Sequence, residues 1–113
     1  MRMTRARTML AGVGAAILML AGVGSSVQAQ ATVEVRIEGI VFQPAAITVP
    51  AGTTVVWVNY DPVIHGVTAN DGSFASELFG QGESFMATFA APGVYEYFCP
   101  PHPGMVGTIE VTG

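Results

Sequence analysis

The sequence contains no lysine, one cysteine and two histidines in 113 residues. Charged residues make up only 11% of the chain, whereas hydrophobic residues make up 50%. Nucleic-acid binding needs a basic face that neutralises phosphates, so the lack of lysine argues against a nucleic-acid partner. One cysteine excludes an intramolecular disulfide and any cluster or zinc ribbon held by four thiolates. Two histidines exclude a catalytic centre built from many imidazoles.

Positive charge is confined almost entirely to the N-terminus, where Arg2, Arg5 and Arg7 lie. In the rest of the chain Arg36 alone faces all eight acidic residues, which leaves a net charge of −7. We therefore expect a partner with a positively charged contact surface, and association that slows as salt increases. The acids are spread along the sequence and define no single patch, so they could equally serve only to keep a small hydrophobic domain soluble.

The first 31 residues have the three parts of an export signal. The N-terminal arginines precede an apolar run of about 15 residues (9–23), and small residues then allow cleavage after Ala29 or Ala31. This run is shorter than the roughly 20 residues that span a bilayer, which disfavours an uncleaved anchor. We expect export to the periplasm and one domain, residues 32–113, without a membrane anchor after cleavage.

The remainder of the chain is patterned for β-structure. β-Branched and aromatic residues, alternating with polar ones, predict short strands at 33–37, 47–49, 53–60, 84–89, 94–99 and 108–111. Within 84–89, the side chains of Phe85, Ala87 and Phe89 are expected on one face, and Met86 is expected to fill a gap in the core. Residues 75–79 allow one short helical turn. Six or more strands separated by turns predict an all-β fold, a β-sandwich.

The residues that carry chemistry are concentrated around the single cysteine, in the segment Cys99-Pro100-Pro101-His102-Pro103-Gly104-Met105. The other histidine is His65, which follows the strongest predicted strand. Two imidazoles, a thiolate and a weak thioether form the His₂Cys plus axial Met set of mononuclear blue copper. Sulfur ligands suit Cu(I) and imidazole suits Cu(II), so the segment predicts one copper ion.

Each of these residues also has a simpler interpretation. Cys99 could be a buried core thiol, His65 a solvated side chain and Met105 a filler of the core. Taken together they favour a metal, because an exported protein with an unpaired thiol needs a reason to retain it. Zinc is the main rival to copper, but a structural zinc site needs four strong ligands and methionine is a poor fourth.

The chain resembles the cupredoxins, the small type 1 copper proteins, over essentially all of its length after the leader. The resemblance is carried by these segments: Phe42-Gln43-Pro44, Gly52, Trp57-Val58-Asn59, His65, Gly82-Glu83-Ser84-Phe85, Phe89, Pro92 to Cys99, and Gly107 to Val111. The ligand loop has the short C-x₂-H-x₂-M form, which looks like that of amicyanins. Plastocyanins and pseudoazurins look like C-x₂-H-x₄-M, and azurins have a longer gap.

This resemblance implies a Greek-key β-sandwich with one type 1 copper ion at one end. His65 from one loop, and Cys99, His102 and Met105 from another, would hold the ion. Much of the family has asparagine after the first histidine, where it ties the two ligand loops together, whereas this chain has Gly66. Such supporting contacts orient metal ligands, so the rigidity of the loops is the property that this departure affects.

The prolines also limit which groups can donate a hydrogen bond to the sulfur of Cys99. Pro100 and Pro101 lack an N–H, so the backbone of Gly66 is the remaining expected donor. A bond donated to the thiolate withdraws electron density and raises the reduction potential. Fewer donors should therefore keep the potential low.

The function that the resemblance implies is an exported carrier that moves single electrons through Cu(II)/Cu(I). His102 would be the electron port, ringed by Pro100, Pro101, Pro103, Gly104 and the Val63-Ile64 pair. Expected partners are redox proteins, such as an amine dehydrogenase or a c-type cytochrome with a basic contact surface, and the carrier itself is expected to be a monomer. The alternative is a copper storage or delivery module, which a looser site at Gly66 would favour. An enzyme is not expected, because both histidines are committed to metal and a saturated site has no open position for substrate.

Overall fold

The computed structural model describes residues 31–113. The predicted export signal lies outside the described residues, apart from Ala31. The carbonyl of Ala31 accepts a hydrogen bond from the backbone N of Thr54 at 2.9 Å. Ala31, the first described residue, is therefore already hydrogen-bonded to the rest of the fold.

Eight β-strands make up the secondary structure of residues 31–113: β1 (Thr32–Ile37), β2 (Phe42–Gln43), β3 (Ala46–Pro50), β4 (Thr53–Asn59), β5 (Thr68–Ala69), β6 (Ser84–Phe89), β7 (Gly93–Cys99) and β8 (His102–Thr112). They form two four-stranded sheets, with strand orders β2-β1-β4-β6 and β3-β8-β7-β5. The pairs β1–β4 and β3–β8 are parallel, and the other pairs are antiparallel. Because β3 and β4, like β6 and β7, lie in different sheets, the chain crosses between the sheets. The predicted all-β sandwich is confirmed.

β4 shows most clearly why these residues form a sandwich. Every second side chain of this strand is buried, and the residues between them are half-buried. Since successive side chains of a strand point to opposite faces, this alternation places Val55 and Trp57 between the sheets. The indole of Trp57 lies 5.4 Å from the ring of Tyr97 and 5.6 Å from the ring of Phe85, centroid to centroid. Trp57 and Tyr97, on opposite sheets, thus meet in the core.

Tyr97 fixes the identity of its neighbour on β8. It is paired with Gly107 across the sheet, and its ring lies over that glycine. A Cβ on Gly107 would overlap Cζ and Oη of Tyr97 and would lie 2.8 Å from its Cε1. Glycine is therefore required here by the close approach of the ring.

Two expectations from the sequence are wrong. Met86 is 61% exposed and does not fill the core, because the strand period that turns Phe85 and Ala87 inward turns Met86 outward. Residues 75–79 form no helical turn; instead Ala75 and Phe79 make isolated antiparallel bridges with Thr68 and His65. This segment matters for the site described below.

Among residues 31–113, no helix is long and apolar enough to cross a membrane.

Candidate metal centre

Two connections and the strands beside them bring three potential metal ligands together at one end of the sandwich. His65 lies between β4 and β5, Cys99 is the last residue of β7, and His102 is the first residue of β8. A register shift at Phe98/Cys99 interrupts the β7–β8 ladder, and beyond it Cys99 pairs with His102. One potential ligand atom from each of His65, Cys99 and His102 lies within 4.8 Å of the other two.

The distances between the donor atoms suit one shared metal ion. Nδ1 of His65 and Nδ1 of His102 each lie 3.6 Å from Sγ of Cys99. A borderline metal bonds thiolate at about 2.3 Å and imidazole nitrogen at about 2.0 Å, so two such ligands at trigonal or tetrahedral angles lie about 3.6 Å apart. The sulfur and each ring nitrogen therefore already have the separation of two ligands on one ion.

Met105 is the fourth residue of the expected ligand set. It is buried on β8, three positions after His102, and belongs to the core cluster that also contains Cys99. His65 and Cys99 are fully buried, whereas His102 is half-buried. The site is thus closed on the side of His65 and accessible on the side of His102.

Asp61 sets the orientation and the tautomer of His65. Its Oδ2 lies 2.8 Å from Nε2 of His65, and both groups are buried. An ionised carboxylate can only accept a hydrogen bond, so Nε2–H donates to Asp61 and Nδ1 lies on the side of the sulfur. This is the ring orientation that a histidine binding metal through Nδ1 needs.

The carboxylate of Asp61 is itself held by backbone amides. The N–H of Gly39 donates to Oδ1 at 2.8 Å, and the N–H of Ile40 donates to Oδ2 at 2.9 Å. Burial by itself would raise the pKa of Asp61, but the amides of Ile40 and Gly39 and the ring of His65 outweigh burial and lower the pKa below its ordinary value of 3.8. Asp61 is therefore ionised at neutral pH.

Asn59 braces the same loop from the end of β4. Its side-chain Oδ1 accepts the N–H of Asp61 at 2.8 Å, and its Nδ2 donates to the carbonyls of Val63 and Phe79 at 2.9 and 3.1 Å. The backbone groups of His65 and Phe79 exchange two further hydrogen bonds, at 3.1 and 2.9 Å. The loop that carries His65 is consequently fixed on both sides.

The expected hydrogen bond to the sulfur is present. The backbone N of Gly66 lies 3.3 Å from Sγ of Cys99 and donates to it. This confirms the prediction, made because Pro100 and Pro101 have no N–H to offer. Asp61, Asn59 and the 75–79 segment, by contrast, were not identified from the sequence as parts of the site. One available signal was the position of Asp61, four residues before His65 in a chain with few charges.

These observations define a class: an all-β sandwich with a buried His₂Cys metal site at one end. Residues 29–112 match the family described as copper binding proteins, plastocyanin/azurin family. The chain belongs to this family. Its cofactor is copper, and the sulfur and imidazole donors described above are those that copper prefers.

Individual relatives agree with this assignment. The chain is 41% identical over 85 residues to a plastocyanin of Scenedesmus fuscus, an alignment that covers 64% of this chain and 87% of that protein. It is 36% identical over 84 residues to an amicyanin of Paracoccus versutus, covering 70% of this chain and 64% of that protein. Among solved structures, a purple cupredoxin from Nitrosopumilus maritimus matches with a TM-score of 0.67 and 31% identity, covering 71% of this chain and 99% of that chain.

Proposed function

We propose that the protein is an exported carrier of single electrons that binds one copper ion through His65, Cys99, His102 and Met105. When bound, copper supplies a one-electron couple between Cu(II) and Cu(I). The observation that carries the proposal is the convergence of two Nδ1 atoms on one buried sulfur at 3.6 Å. Because both histidines are used in this way, the proposal includes no enzymatic activity.

The contacts around the site favour electron transfer over copper delivery. Asp61 holds the ring of His65, and the N–H of Gly66 bonds the sulfur of Cys99 although the asparagine of many relatives is missing. A site whose ligands are held in place before the metal binds changes little when the oxidation state changes. It also releases metal slowly, which a delivery protein would not do.

The surface near His102 supports this residue as the point of electron exchange. Exposed Pro101 and Pro103 flank the half-buried ring of His102 in the sequence. Exposed apolar side chains of Val63 and Ile64 precede His65 on the other loop. A small apolar contact of this kind suits brief encounters with a redox partner.

The partner that we propose is a redox protein with a basic contact surface, such as an amine dehydrogenase or a c-type cytochrome. The net charge of −7 outside the leader supports this choice. Electron transfer to a basic cytochrome should slow as salt rises, and a rate that does not respond to salt would remove the charge argument.

Export to the periplasm is part of the proposal, and the fold favours one of the two cleavage positions. Because the carbonyl of Ala31 accepts a hydrogen bond from Thr54, cleavage after Ala29 retains a contact that cleavage after Ala31 would remove. N-terminal sequencing of the protein from a periplasmic fraction tests both points. Recovery of the uncleaved chain from the cytoplasm would overturn this part of the proposal.

The test of the site is titration of the metal-free protein with Cu(II). We expect an intense blue or purple colour that Cys99→Ser abolishes. Met105→Leu should shift the spectrum and the potential, whereas the matched variant Met86→Leu, on the exposed face of β6, should leave both unchanged. A colourless protein that binds zinc in preference to copper would refute the site.

A second measurement separates the carrier from the delivery protein. Reversible voltammetry with copper retained, in the presence of a chelator, supports electron transfer. Loss of copper to the chelator within minutes, without reversible exchange of electrons, would establish delivery instead.

A further inference from the structure

Gly66 occupies a narrow space between the two ligand loops. A Cβ at this position would lie 3.0 Å from Cδ2 of Leu78 and 3.2 Å from Cδ of Pro100, both tighter than ordinary contacts. The backbone of Gly66 is not in the left-handed region, so an L-residue could adopt its conformation. Space, and not backbone geometry, therefore limits a side chain here, since Leu78 and Pro100 would have to give by a few tenths of an ångström.

Leu78 reaches Gly66 from the 75–79 segment, which hydrogen bonds hold against the His65 loop. The backbone N of Ser76 donates to the carbonyl of Val67 at 2.8 Å, and Oγ of Ser76 accepts the N–H of Val67 at 2.8 Å. The two-way bonds between His65 and Phe79 close the other end. The side chain of Leu78 is thus presented to Gly66 by backbone pairing on both sides.

Pro100 reaches Gly66 from the second ligand loop, directly after Cys99. Leu78 and Pro100 together confine Gly66, whose N–H donates to Sγ of Cys99 at 3.3 Å. We propose that Leu78 is a positioning residue: it keeps Gly66 against Pro100, and so aligns the N–H of Gly66 with the sulfur. This apolar contact ties the ligand loops where much of the family uses an asparagine side chain.

The exposure of Leu78 makes this role separable from general stability. Its side chain is 50% exposed, so its removal takes away only part of the free energy that a fully buried leucine contributes. The effect that matters is local: without Leu78, the N–H of Gly66 should leave the sulfur more often. The link to potential rests on the proposed copper site, but the alignment itself is a property of the metal-free protein.

The experiment compares Leu78→Ala with Met86→Ala, a matched control that removes a side chain of similar size, 61% exposed on another face. Amide hydrogen exchange of Gly66 is measured by NMR in the reduced, metal-free protein. We expect exchange about tenfold faster or more in Leu78→Ala and unchanged in Met86→Ala, because local opening governs exchange. Equal exchange of Gly66 in both variants would overturn the proposal.

A double-mutant cycle tests the same contact from the other side. Gly66→Ala forces its Cβ against Leu78, and Leu78→Ala should relieve that clash. The loss of stability caused by Gly66→Ala should therefore be smaller in the Leu78→Ala background. If Gly66→Ala alone does not fold, recovery of folding in the double variant supports the proposal in the same way. Strictly additive losses of stability would contradict it.

Copper-loaded protein supplies a readout that separates this inference from the proposed function. Weakening of the hydrogen bond to the thiolate leaves more electron density on sulfur, so Leu78→Ala should lower the midpoint potential, while Met86→Ala should not. If the protein proved not to exchange electrons with any partner, the exchange and cycle results would still stand. If the exchange and the double-mutant cycle both gave the contradicting result while the copper-loaded protein stayed blue, only the positioning role of Leu78 would be refuted.

Discussion

Replacement of Asp61 by asparagine removes one charge and almost no volume, so its effect isolates the acceptor role of the carboxylate. In the native protein Oδ1 accepts one hydrogen bond, from Gly39, and Oδ2 accepts two, from Ile40 and His65. An asparagine has one oxygen, so its NH₂ group must face at least one of these donors. Donor would then meet donor at a part-buried position beside the exposed residues Gly39 and Ile40.

The magnitude follows from the less costly of the two amide orientations. The oxygen then takes the place of Oδ2, and the N–H of Gly39 loses its acceptor, at a cost of about 1 kcal/mol because Gly39 is exposed. The bonds to Ile40 and His65 remain but lose the charge that strengthens them, which costs about 1 kcal/mol more. Asp61→Asn should thus lower the free energy of unfolding by about 2 kcal/mol.

Urea unfolding of the metal-free protein at pH 7 measures this loss. Asp71→Asn is the matched control, since Asp71 accepts the N–H of Ser73 at 2.9 Å in an exposed turn, and should change stability by less than about 0.5 kcal/mol. Copper affinity of Asp61→Asn should also fall by about 10–100-fold, because the partner of a ligating histidine has been altered. A loss no greater than that of Asp71→Asn would refute the reasoning.

Three further changes have definite expected outcomes. Gly107→Ala should lower the free energy of unfolding, measured by thermal unfolding, by about 3 kcal/mol, because its Cβ overlaps the buried Tyr97 ring. This loss should largely disappear in a Tyr97→Leu background. Ile40→Asn should raise the free energy of unfolding by about 1 kcal/mol and the thermal midpoint by about 4–8 °C, because Ile40 has φ 59°. Val41→Asn, at an equally exposed position, should change neither quantity. Pro101→Ala should restore a donor near the sulfur and raise the copper midpoint potential, and an unchanged or lower value would contradict this.

The strands that follow local patterning could be predicted closely from the sequence. Residues 84–89 were predicted as a strand and form β6 with the same bounds, and the prediction of 53–60 differs from β4 by one residue. The two-residue strands β2 and β5 were missed, since two residues cannot show a period. β8 begins at His102, six residues earlier than predicted, because Pro103 and Gly104 are unfavourable in strands and conceal the pair that His102, before them, makes with Cys99 of β7.

The ligand residues could be predicted from the sequence because the chain contains so few cysteine and histidine residues. With one cysteine and two histidines, a site of this kind could be assembled in one way. The groups that orient those ligands were not accessible, because ordinary residues supply them through distant contacts. Asp61 accepts the amide N–H of Gly39, 22 positions away in the sequence. Leu78 approaches Gly66 from residues 75–79, a segment for which the sequence allowed one short helical turn.

Ile40 shows how far tertiary contacts can override local preference at such a site. An isoleucine in the left-handed region costs about 1–2 kcal/mol, and its half-exposed side chain recovers little of that by burial. With Gly39, also at positive φ, this conformation turns two consecutive N–H groups onto one carboxylate of Asp61. Hydrogen bonds to a charged group contribute about 1.5–3 kcal/mol each, so two of them exceed the strain. The strained turn is therefore a consequence of Asp61, and Asp61 in turn fixes which nitrogen of His65 faces the metal.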